Sequence, residues 1–460
     1  MLKLLYVSGW LWFFIILSLS TLFIINSFVE RKFRAALRGI LIFMPVLAGV
    51  LFLLLIEFPA KNLILSGVVI LFTAFCFFLI LPLGSTSYIK ICGKQERVDE
   101  RDALFHRFYS LVPGSESFEA YYRDHPENMK FDETVRKLPK LGHQGSRSHD
   151  PVTSLYQMSI FDVIKKINTD LKSSPEPVDG RVVHLSPEEF TSRIKGFARY
   201  LGADLVGVTR LNRAYVYSHI ARLPGRWGEA VELNHSNAIV IAVEMRYEMV
   251  QHAPDVPAIT ETADRYFDAG KVASILARFI QLLGYEALAH IDGNYRVMCI
   301  PIAVDAGLGE LGRLGLLVTP QFGPRVRLSV VTTNLPLIYD KPIKFGVQDF
   351  CEICKKCAEN CPSGSVDSGE KKIYRGVEKW KSEQNSCYKF WRIQGTDCSI
   401  CIRVCPFSHP GTIIHNGIRW IISRNKFARR IALIGDNLFY GRNPSSKFPL
   451  QDWHKRSLIV

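Results

Sequence analysis

The sequence predicts an α+β protein with three transmembrane helices at its amino terminus, an α/β core, and a module that holds two [4Fe–4S] clusters. Three observations support this fold class. Three long apolar runs open the chain, apolar patterns of strand and helix length alternate in its middle, and eight of the 11 cysteines lie between residues 351 and 405. The 460 residues therefore divide into five predicted regions: a membrane anchor (1–86), a loop-rich segment that wraps the body (87–186), the core (187–345), the cluster module (346–415) and a tail that packs on the core (416–460).

The apolar runs cover residues 4–25, 40–56 and 63–83, and each approaches the roughly 20 residues that a helix needs to cross a bilayer. Four basic residues follow the first run and four follow the third, whereas one lies between the second and third. By the positive-inside rule, this pattern predicts a multi-pass protein of the cytoplasmic membrane whose catalytic body faces the cytoplasm. No histidine precedes His106, so the helices offer no imidazole ligands for haem and are interpreted as an anchor.

The middle of the chain changes character twice. Residues 87–186 are polar and contain clusters of Pro and Ser, which predicts a loop-rich segment. Four short apolar runs further on read as strands, and apolar residues at helical spacing between residues 262 and 283 predict a helix that stops at Gly284. The predicted strands are 203–208, 238–243, 298–304 and 326–332.

The cysteine spacing is the most specific signal in the chain. The first run reads C-x2-C-x2-C-x3-C-P, and a second run repeats its ending; this pattern is typical of two-cluster ferredoxins, in which the last cysteine of each run serves the other cluster. Zinc sites lack the x3-C-P ending, and disulfide frameworks belong to small secreted domains. We expect one cluster on Cys351, Cys354, Cys357 and Cys405, and the other on Cys361, Cys387, Cys398 and Cys401.

The segment Gly307-Leu-Gly-Glu-Leu-Gly312 matches the dinucleotide-binding pattern G-x-G-x-x-G. That fingerprint requires a helix directly after the glycines, and this segment runs instead into a strand-like stretch and a turn. The glycines are therefore interpreted as backbone that passes close to a bulky group.

Two longer stretches resemble the catalytic subunit of reductive dehalogenases. One runs from Met298 through Pro-Ile-Ala-Val-Asp-Ala-Gly-Leu-Gly-Glu-Leu-Gly-Arg to Phe322-Gly-Pro-Arg-Val-Arg, and the other is residues 345–362 around the first cysteines. The resemblance begins near residue 97 and leaves the membrane helices outside. It implies a nitroreductase-like core that holds a base-off corrinoid, either cobalamin or a relative, with two [4Fe–4S] clusters that relay electrons. The expected corrinoid contacts are Ala306, Gly307, Leu308, Gly309, Gly312 and Gly315.

The resemblance also implies a proton-donating tyrosine supported by an arginine and an asparagine, which match Tyr266, Arg327 and Asn294. Each has a plainer explanation. Tyr266 lies on the apolar stripe of its helix and could be a core residue, while the other two could be a surface arginine and a turn residue. An arginine close to the phenol is expected to lower its pKa.

The sequence thus predicts a reductive dehalogenase that removes halide from an organohalide, such as a halogenated aromatic, with reduced ferredoxin, flavodoxin or another carrier as electron donor. Two alternatives are an epoxyqueuosine reductase-like corrinoid enzyme that acts on transfer RNA, and a membrane-tethered iron–sulfur protein that only transfers electrons. The net charge of +14 is attributed to the membrane flanks and to a docking face for an acidic donor rather than to nucleic acid.

Overall fold

The structure, a computed structural model, describes residues 2–84, 86–168, 174–177, 180–223 and 225–443. In chain order the helices are α1 (Leu2–Val29), α2 (Phe33–Leu55), α3 (Lys61–Ile80), α4 (Leu104–Tyr109), α5 (Glu116–Asp124), α6 (Pro126–Arg136), α7 (Thr153–Asn168), α8 (Pro187–Tyr200), α9 (Tyr247–Val250), α10 (Val256–Leu282), α11 (Cys299–Asp305), α12 (Val347–Cys354), α13 (Lys356–Glu359), α14 (Gln384–Gln394), α15 (Ile400–Arg403), α16 (Ile413–Arg424) and α17 (Lys426–Tyr440). The strands are β1 (Lys90–Ile91), β2 (Leu205–Arg210), β3 (Asn237–Glu244), β4 (Ala287–His290), β5 (Glu310–Leu311), β6 (Leu317–Val318), β7 (Val326–Thr333), β8 (Lys372–Tyr374) and β9 (Val377–Lys379).

The chain forms two compact units that do not follow the linear order of the predicted regions. Among the described residues, the first unit combines residues 2–84, 86–87, 344–354 and 409–443, and the second combines residues 88–168, 174–177, 180–223, 225–343 and 355–408. The first unit therefore contains α1–α3, α12, α16 and α17, and the second contains the sheet, α10 and most of the cysteines.

Three helices of the first unit are long and apolar enough to cross a membrane. They are α1, α2 and α3, with mean hydropathies between 2.1 and 2.8 in their most apolar windows. The sequence predicted all three. Pro45 lies inside α2, which is common in membrane helices because neighbouring groups satisfy the freed carbonyl.

Polar contacts and aromatic packing join the C-terminal helices of the first unit to its membrane helices. Asn425, between α16 and α17, donates to the carbonyl of Phe78 at 2.7 Å, and the ring of Phe439 lies 4.6 Å from that of Phe23. The sequence analysis predicted that the C-terminal tail packs on the core. The described part of that tail packs instead against the anchor, because Phe427 and Phe439 of α17 contact the rings of Phe78 and Phe23. Residues 444–460 lie outside the described residues.

A four-stranded antiparallel sheet in the order β2-β3-β7-β4 forms the core of the second unit. Alternate residues of β3 enter two different hydrophobic clusters: Ile239, Ile241 and Val243 face one, and Ala238, Val240 and Ala242 face the other. Because both faces of β3 are covered, its sequence reads as a continuous apolar run rather than an alternating one.

The core strands and the long helix were predicted correctly, with one error. Residues 238–243 and 326–332 lie within β3 and β7, residues 203–208 overlap β2, and α10 ends just before Gly284. Residues 298–304 were predicted as a strand but form α11. A short apolar run does not distinguish a strand from a buried helix, and here Pro301 falls in the first turn of the helix, where proline is tolerated.

The segment 87–186 is more helical than its composition predicted. It contains α4, α5, α6 and α7, and the N-cap of α5 is Ser115, whose side chain accepts from the amide of Phe118. A buried ion pair between Arg107 and Asp132 at 2.7 Å joins α4 to α6. These helices are short, so the Pro and Ser clusters between them dominated the composition.

Candidate active site

The candidate site lies in the second unit, where α10 meets the start of β7. The Arg327 guanidinium carbon stands 5.1 Å from the centre of the Tyr266 ring. Arg327 Nη2 also donates to Thr262 Oγ1 at 2.7 Å and to Asp397 Oδ2 at 3.0 Å, and the Thr262 hydroxyl donates to the same carboxylate oxygen at 2.7 Å. Thr262 and Tyr266 share a face of α10 because they are four residues apart.

The Tyr266 phenol is held in its protonated form. Burial raises its pKa, and although Arg327 acts to lower it, Asp292 and Asp397 act with burial and the pKa stays above the ordinary value. The expectation that the arginine would bring this pKa down was therefore wrong in its net sign, since desolvation outweighs the guanidinium. Among the described residues the Tyr266 hydroxyl has no hydrogen-bond partner, so its proton can be donated to a bound molecule.

A second ionisable group, Asp292, lies in the loop after β4. Burial raises the pKa of its carboxyl, against the opposing influence of Arg222 and Arg327. Arg222 is fixed by Glu100, whose Oε1 lies 2.5 Å from the arginine Nε. Asp292 is therefore a second acid with a raised pKa, and it acts electrostatically on Tyr266.

The same loop holds Asn294, which is buried. Its side-chain oxygen accepts from the backbone amide of Ile291 at 3.4 Å, a contact within its own turn. The described contacts join Tyr266 to Arg327 but do not join either of them to Asn294. A role for Asn294 at the phenol thus stays a prediction, and the turn function is the one for which the structure provides a contact.

Two neighbouring groups have pKa values raised too far for them to act as nucleophile or acid. Burial raises the pKa of Cys299 to about 12, so it remains a thiol at neutral pH. The pKa of Tyr295 is raised still more by burial, and its hydroxyl donates to the carbonyl of Leu328 at 2.7 Å. Both residues therefore contribute walls to the site rather than chemistry.

Four of the eight predicted cluster ligands converge in the second unit. The thiols of Cys361, Cys387, Cys398 and Cys401 lie close enough to shift one another's pKa values. Burial raises the pKa of Cys387 to about 11 and that of Cys401 to about 12. At Cys361, burial is outweighed by hydrogen bonds from Ser363 and from backbone amides, and the pKa is lowered, which suits a thiolate ligand.

The other four predicted ligands are divided between the two units. Cys351 and Cys354 lie on α12 in the first unit, and Cys357 and Cys405 belong to the second. Three of them, the cysteines at 351, 354 and 357, are buried. Their assignment to one cluster remains the prediction made from the spacing.

The glycine-rich stretch after α11 is tight because it approaches the protein's own backbone. A Cβ on Gly309 would lie 2.1 Å from the carbonyl oxygen of Val318, and one on Gly307 would lie 2.4 Å from the carbonyl oxygen of Lys341. A Cβ on Gly312 would lie 2.7 Å from the side chain of Leu314. These contacts explain the glycines without a bulky ligand, so the proposed corrinoid contacts of this stretch need support from other residues.

Such support comes from buried polar atoms. Arg327 Nε and Ser382 Oγ are buried and have no hydrogen-bond partner among the described residues. Ser382 lies beside Gly315, whose Cβ position is 3.1 Å from the serine oxygen. Unsatisfied buried donors cost free energy unless a ligand accepts from them, and a corrinoid carries amide groups on its rim. The residues present therefore fit such a cofactor.

Sequence reasoning missed Thr262, Asp397 and the pair Arg222–Glu100. Asp397 directly precedes Cys398, and an acidic residue next to a cluster ligand is a weak signal by itself. Its significance depends on the fold, which brings it to Arg327 across a separation of 70 residues. No local pattern encodes such a contact.

Comparisons with known proteins identify similar sequences and a similar fold. A family model described as a 4Fe-4S dicluster domain matches residues 350–409. The tetrachloroethene reductive dehalogenase of Sulfurospirillum multivorans is 36% identical over 290 residues, which cover 55% of this chain and 58% of that protein. That of Dehalobacter restrictus is 34% identical over 282 residues, which cover 51% of each.

A solved structure of the catabolic reductive dehalogenase NpRdhA in complex with 3-bromo-4-hydroxybenzoic acid superposes with a TM-score of 0.61 and 25% identity, over 79% of this chain and 49% of that one. The fold and the cysteine module thus resemble those of reductive dehalogenases. Over the matched region the chain is similar to the reductive dehalogenases, as the sequence analysis predicted. It spans little more than half the length of these curated relatives.

Proposed function

We propose that this protein is a corrinoid-dependent reductive dehalogenase that removes halide from an organohalide, with halogenated aromatics as the substrate class. The single observation that carries the proposal is the arrangement around Arg327, which contacts the ring of Tyr266 and a carboxylate beside the cluster ligand Cys398. A bound corrinoid would supply the reductive cleavage of the carbon–halogen bond, and two [4Fe–4S] clusters would supply its electrons one at a time. A reduced ferredoxin, a flavodoxin or another carrier would deliver these electrons from the cytoplasmic side.

In this proposal Tyr266 donates its hydroxyl proton to the carbon that loses the halide. A raised pKa keeps the phenol protonated until that step, and Arg327 stabilises the phenolate that remains. Thr262 and Asp397 hold the guanidinium in place through Nη2. Asn294 would support the phenol from the loop after β4.

Asp397 would also connect the two halves of the reaction. Its carboxylate binds Arg327, and it acts electrostatically on Cys387, Cys398 and Cys401 as well as on Tyr266. Negative charge added on the side of the cluster therefore raises the proton affinity of the phenol. The arrangement supports a site in which electrons and the proton reach the same small volume.

The test begins with full-length protein purified anaerobically in detergent. About eight iron atoms and one cobalt per chain are expected if two [4Fe–4S] clusters and one corrinoid are bound, together with halide release from a halophenol and reduced electron carrier. Cys401→Ala should lose the iron of one cluster, about four atoms. The matched control is Cys92→Ala, since Cys92 is exposed and should keep the full iron content. Full iron with no retained cobalt and no halide release would contradict the proposal and favour an electron-transfer protein.

A further inference from the structure

A second cluster of ionisable side chains lies in the first unit. It consists of Glu30, just after α1, His409, just before α16, and His415 within α16. Glu30 and His415 are 5% and 6% exposed, and the His409 side chain is 13% exposed. One ligand atom from each of the three lies within 4.8 Å of the others.

The distances inside this cluster suit a shared ion better than direct hydrogen bonds. His415 Nδ1 lies 3.4 Å from Glu30 Oε1, and His409 Nδ1 lies 3.8 Å from Glu30 Oε2. Both exceed the roughly 2.7–3.2 Å of a protein N–H···O bond. Two ligand atoms bound to one zinc ion at about 2.1 Å and at a tetrahedral angle stand about 3.4 Å apart.

The far nitrogens of both histidines are already engaged. His409 Nε2 lies 3.0 Å from Asp436 Oδ1, and His415 Nε2 lies 3.0 Å from the Tyr440 hydroxyl. In metal sites the histidine nitrogen that does not bind the ion commonly makes such a bond to a carboxylate or another polar group. The two imidazole rings are stacked, with centres 4.6 Å apart and an interplanar angle of 4°, so one ring would turn about its side-chain bonds to bring both Nδ1 atoms onto one ion.

The histidines are also in the protonation state that binds metal. Burial lowers the pKa of His415 to about 2. Burial lowers the pKa of His409 as well, although Asp436 opposes it. Both imidazoles are therefore neutral at neutral pH, and they bring no positive charge to the buried Glu30 carboxylate. Lys32 and Arg419 contribute some positive charge nearby, since both act to lower the pKa of His409.

A buried polar network without metal is the simpler explanation and accounts for part of the geometry. The Thr412 hydroxyl, which caps α16, lies 2.9 Å from His415 Nδ1, so this nitrogen has a partner. His409 Nδ1, in contrast, is buried and has no hydrogen-bond partner among the described residues. A network explains the outer contacts with Asp436 and Tyr440 but leaves this nitrogen facing the carboxylate at a distance too long for a bond.

We propose that Glu30, His409 and His415 bind one divalent first-row transition-metal ion, zinc or ferrous iron, separate from the iron–sulfur clusters. Two neutral imidazoles and one carboxylate are donors that suit both ions. The remaining coordination position would hold water. The ion would tie the segment after α1 to α16, a structural role that does not depend on dehalogenation.

The test uses full-length protein purified anaerobically in detergent, washed with chelator and titrated with Zn²⁺ alone. One tightly bound zinc per chain is expected, and His409→Gln or Glu30→Gln should weaken binding at least about 100-fold, with the cluster iron and the cobalt content unchanged. Tyr440→Phe, which keeps every ligand, should weaken binding about 10–100-fold. The control His184→Gln changes an exposed histidine and should bind zinc as the wild type does.

Spectroscopy can show whether the ion is bound at this site or at the cluster cysteines. It can also show whether the natural ion is zinc or iron. Zinc X-ray absorption should show two imidazoles and oxygen at about 2.0–2.2 Å; sulfur ligands at about 2.3 Å would place the ion on cysteines and overturn the proposal. In protein isolated from zinc-depleted cells, Mössbauer spectra should show a high-spin ferrous site beyond the cluster iron if iron is the natural ion. The absence of both stoichiometric zinc and ferrous iron, or equal zinc affinity in wild type and His409→Gln, would also overturn it.

Discussion

Arg327 is the residue on which most of the proposed chemistry depends. Its guanidinium faces the Tyr266 ring and shares Nη2 between Thr262 and Asp397. An arginine can serve three partners at once because its donors lie in a rigid plane. A lysine would keep the charge but would lose this geometry.

The substitution Tyr266→Phe tests the proposed proton donor directly. Tyr266→Phe should lower the rate of halide release by about 10²–10⁴-fold, the usual contribution of a general acid, with clusters and corrinoid retained. The matched control is Tyr285→Phe, which removes a hydroxyl that donates to the carbonyl of Val183 at 3.0 Å and should leave the rate unchanged. Discontinuous assays of halide release measure the rates of both variants. A Tyr266→Phe variant with normal turnover would exclude the phenol as proton donor.

The pKa of Tyr266 fixes the sign of the pH dependence. Because the pKa of Tyr266 is raised above its ordinary value of 10.0, the phenol stays protonated through neutral pH, and its deprotonation limits activity only in strongly basic solution. If activity fell near neutral pH in wild type but not in Asp292→Asn, the carboxyl of Asp292, whose pKa is also raised, would be the relevant acid instead.

At the scale of elements, the core was predictable where one physical signal dominated. The continuous apolar run of β3 and the Gly284 stop of α10 were both read correctly. Helix α11 was predicted as a strand, because a run of seven apolar residues fits either a strand or a buried helix. The packing of Ile302 and Val304 into a buried cluster stabilises the helix. The site followed the same rule: the cysteines are local patterns, whereas Asp397 reaches Arg327 only through the fold.

The turn between α11 and β6 provides a test of packing. Gly309→Ala would place a methyl group 2.1 Å from the Val318 carbonyl oxygen, which the strand cannot relieve without moving backbone. We expect a loss of about 1–3 kcal/mol in the free energy of unfolding, measured by chemical denaturation in detergent. Gly196→Ala on α8 meets no atom within 4 Å and should be neutral or stabilising by up to about 1 kcal/mol. Equal stability of the two variants would show that the hairpin is looser than described.

At the scale of the whole molecule, the three apolar helices indicate membrane association, and the side of the body is a prediction. A reporter that fluoresces only in the cytoplasm, fused after Val460, should be active. Alkaline phosphatase, which works only outside the cytoplasm, should be active when fused after Pro59, between the second and third helices, and inactive after Val460. The basic residues that flank the helices are the physical reason. Phosphatase activity at the carboxyl terminus would reverse the topology.

The adjacency of Asp397 and Cys398 has a consequence for anyone who redesigns this protein. One residue of the pair orients the arginine beside the phenol, and the next is expected to hold iron. A change in this loop that retunes a reduction potential will also shift the acidity of the phenol. Electron supply and proton supply cannot be optimised as independent traits here, and libraries should vary both sides of the loop together.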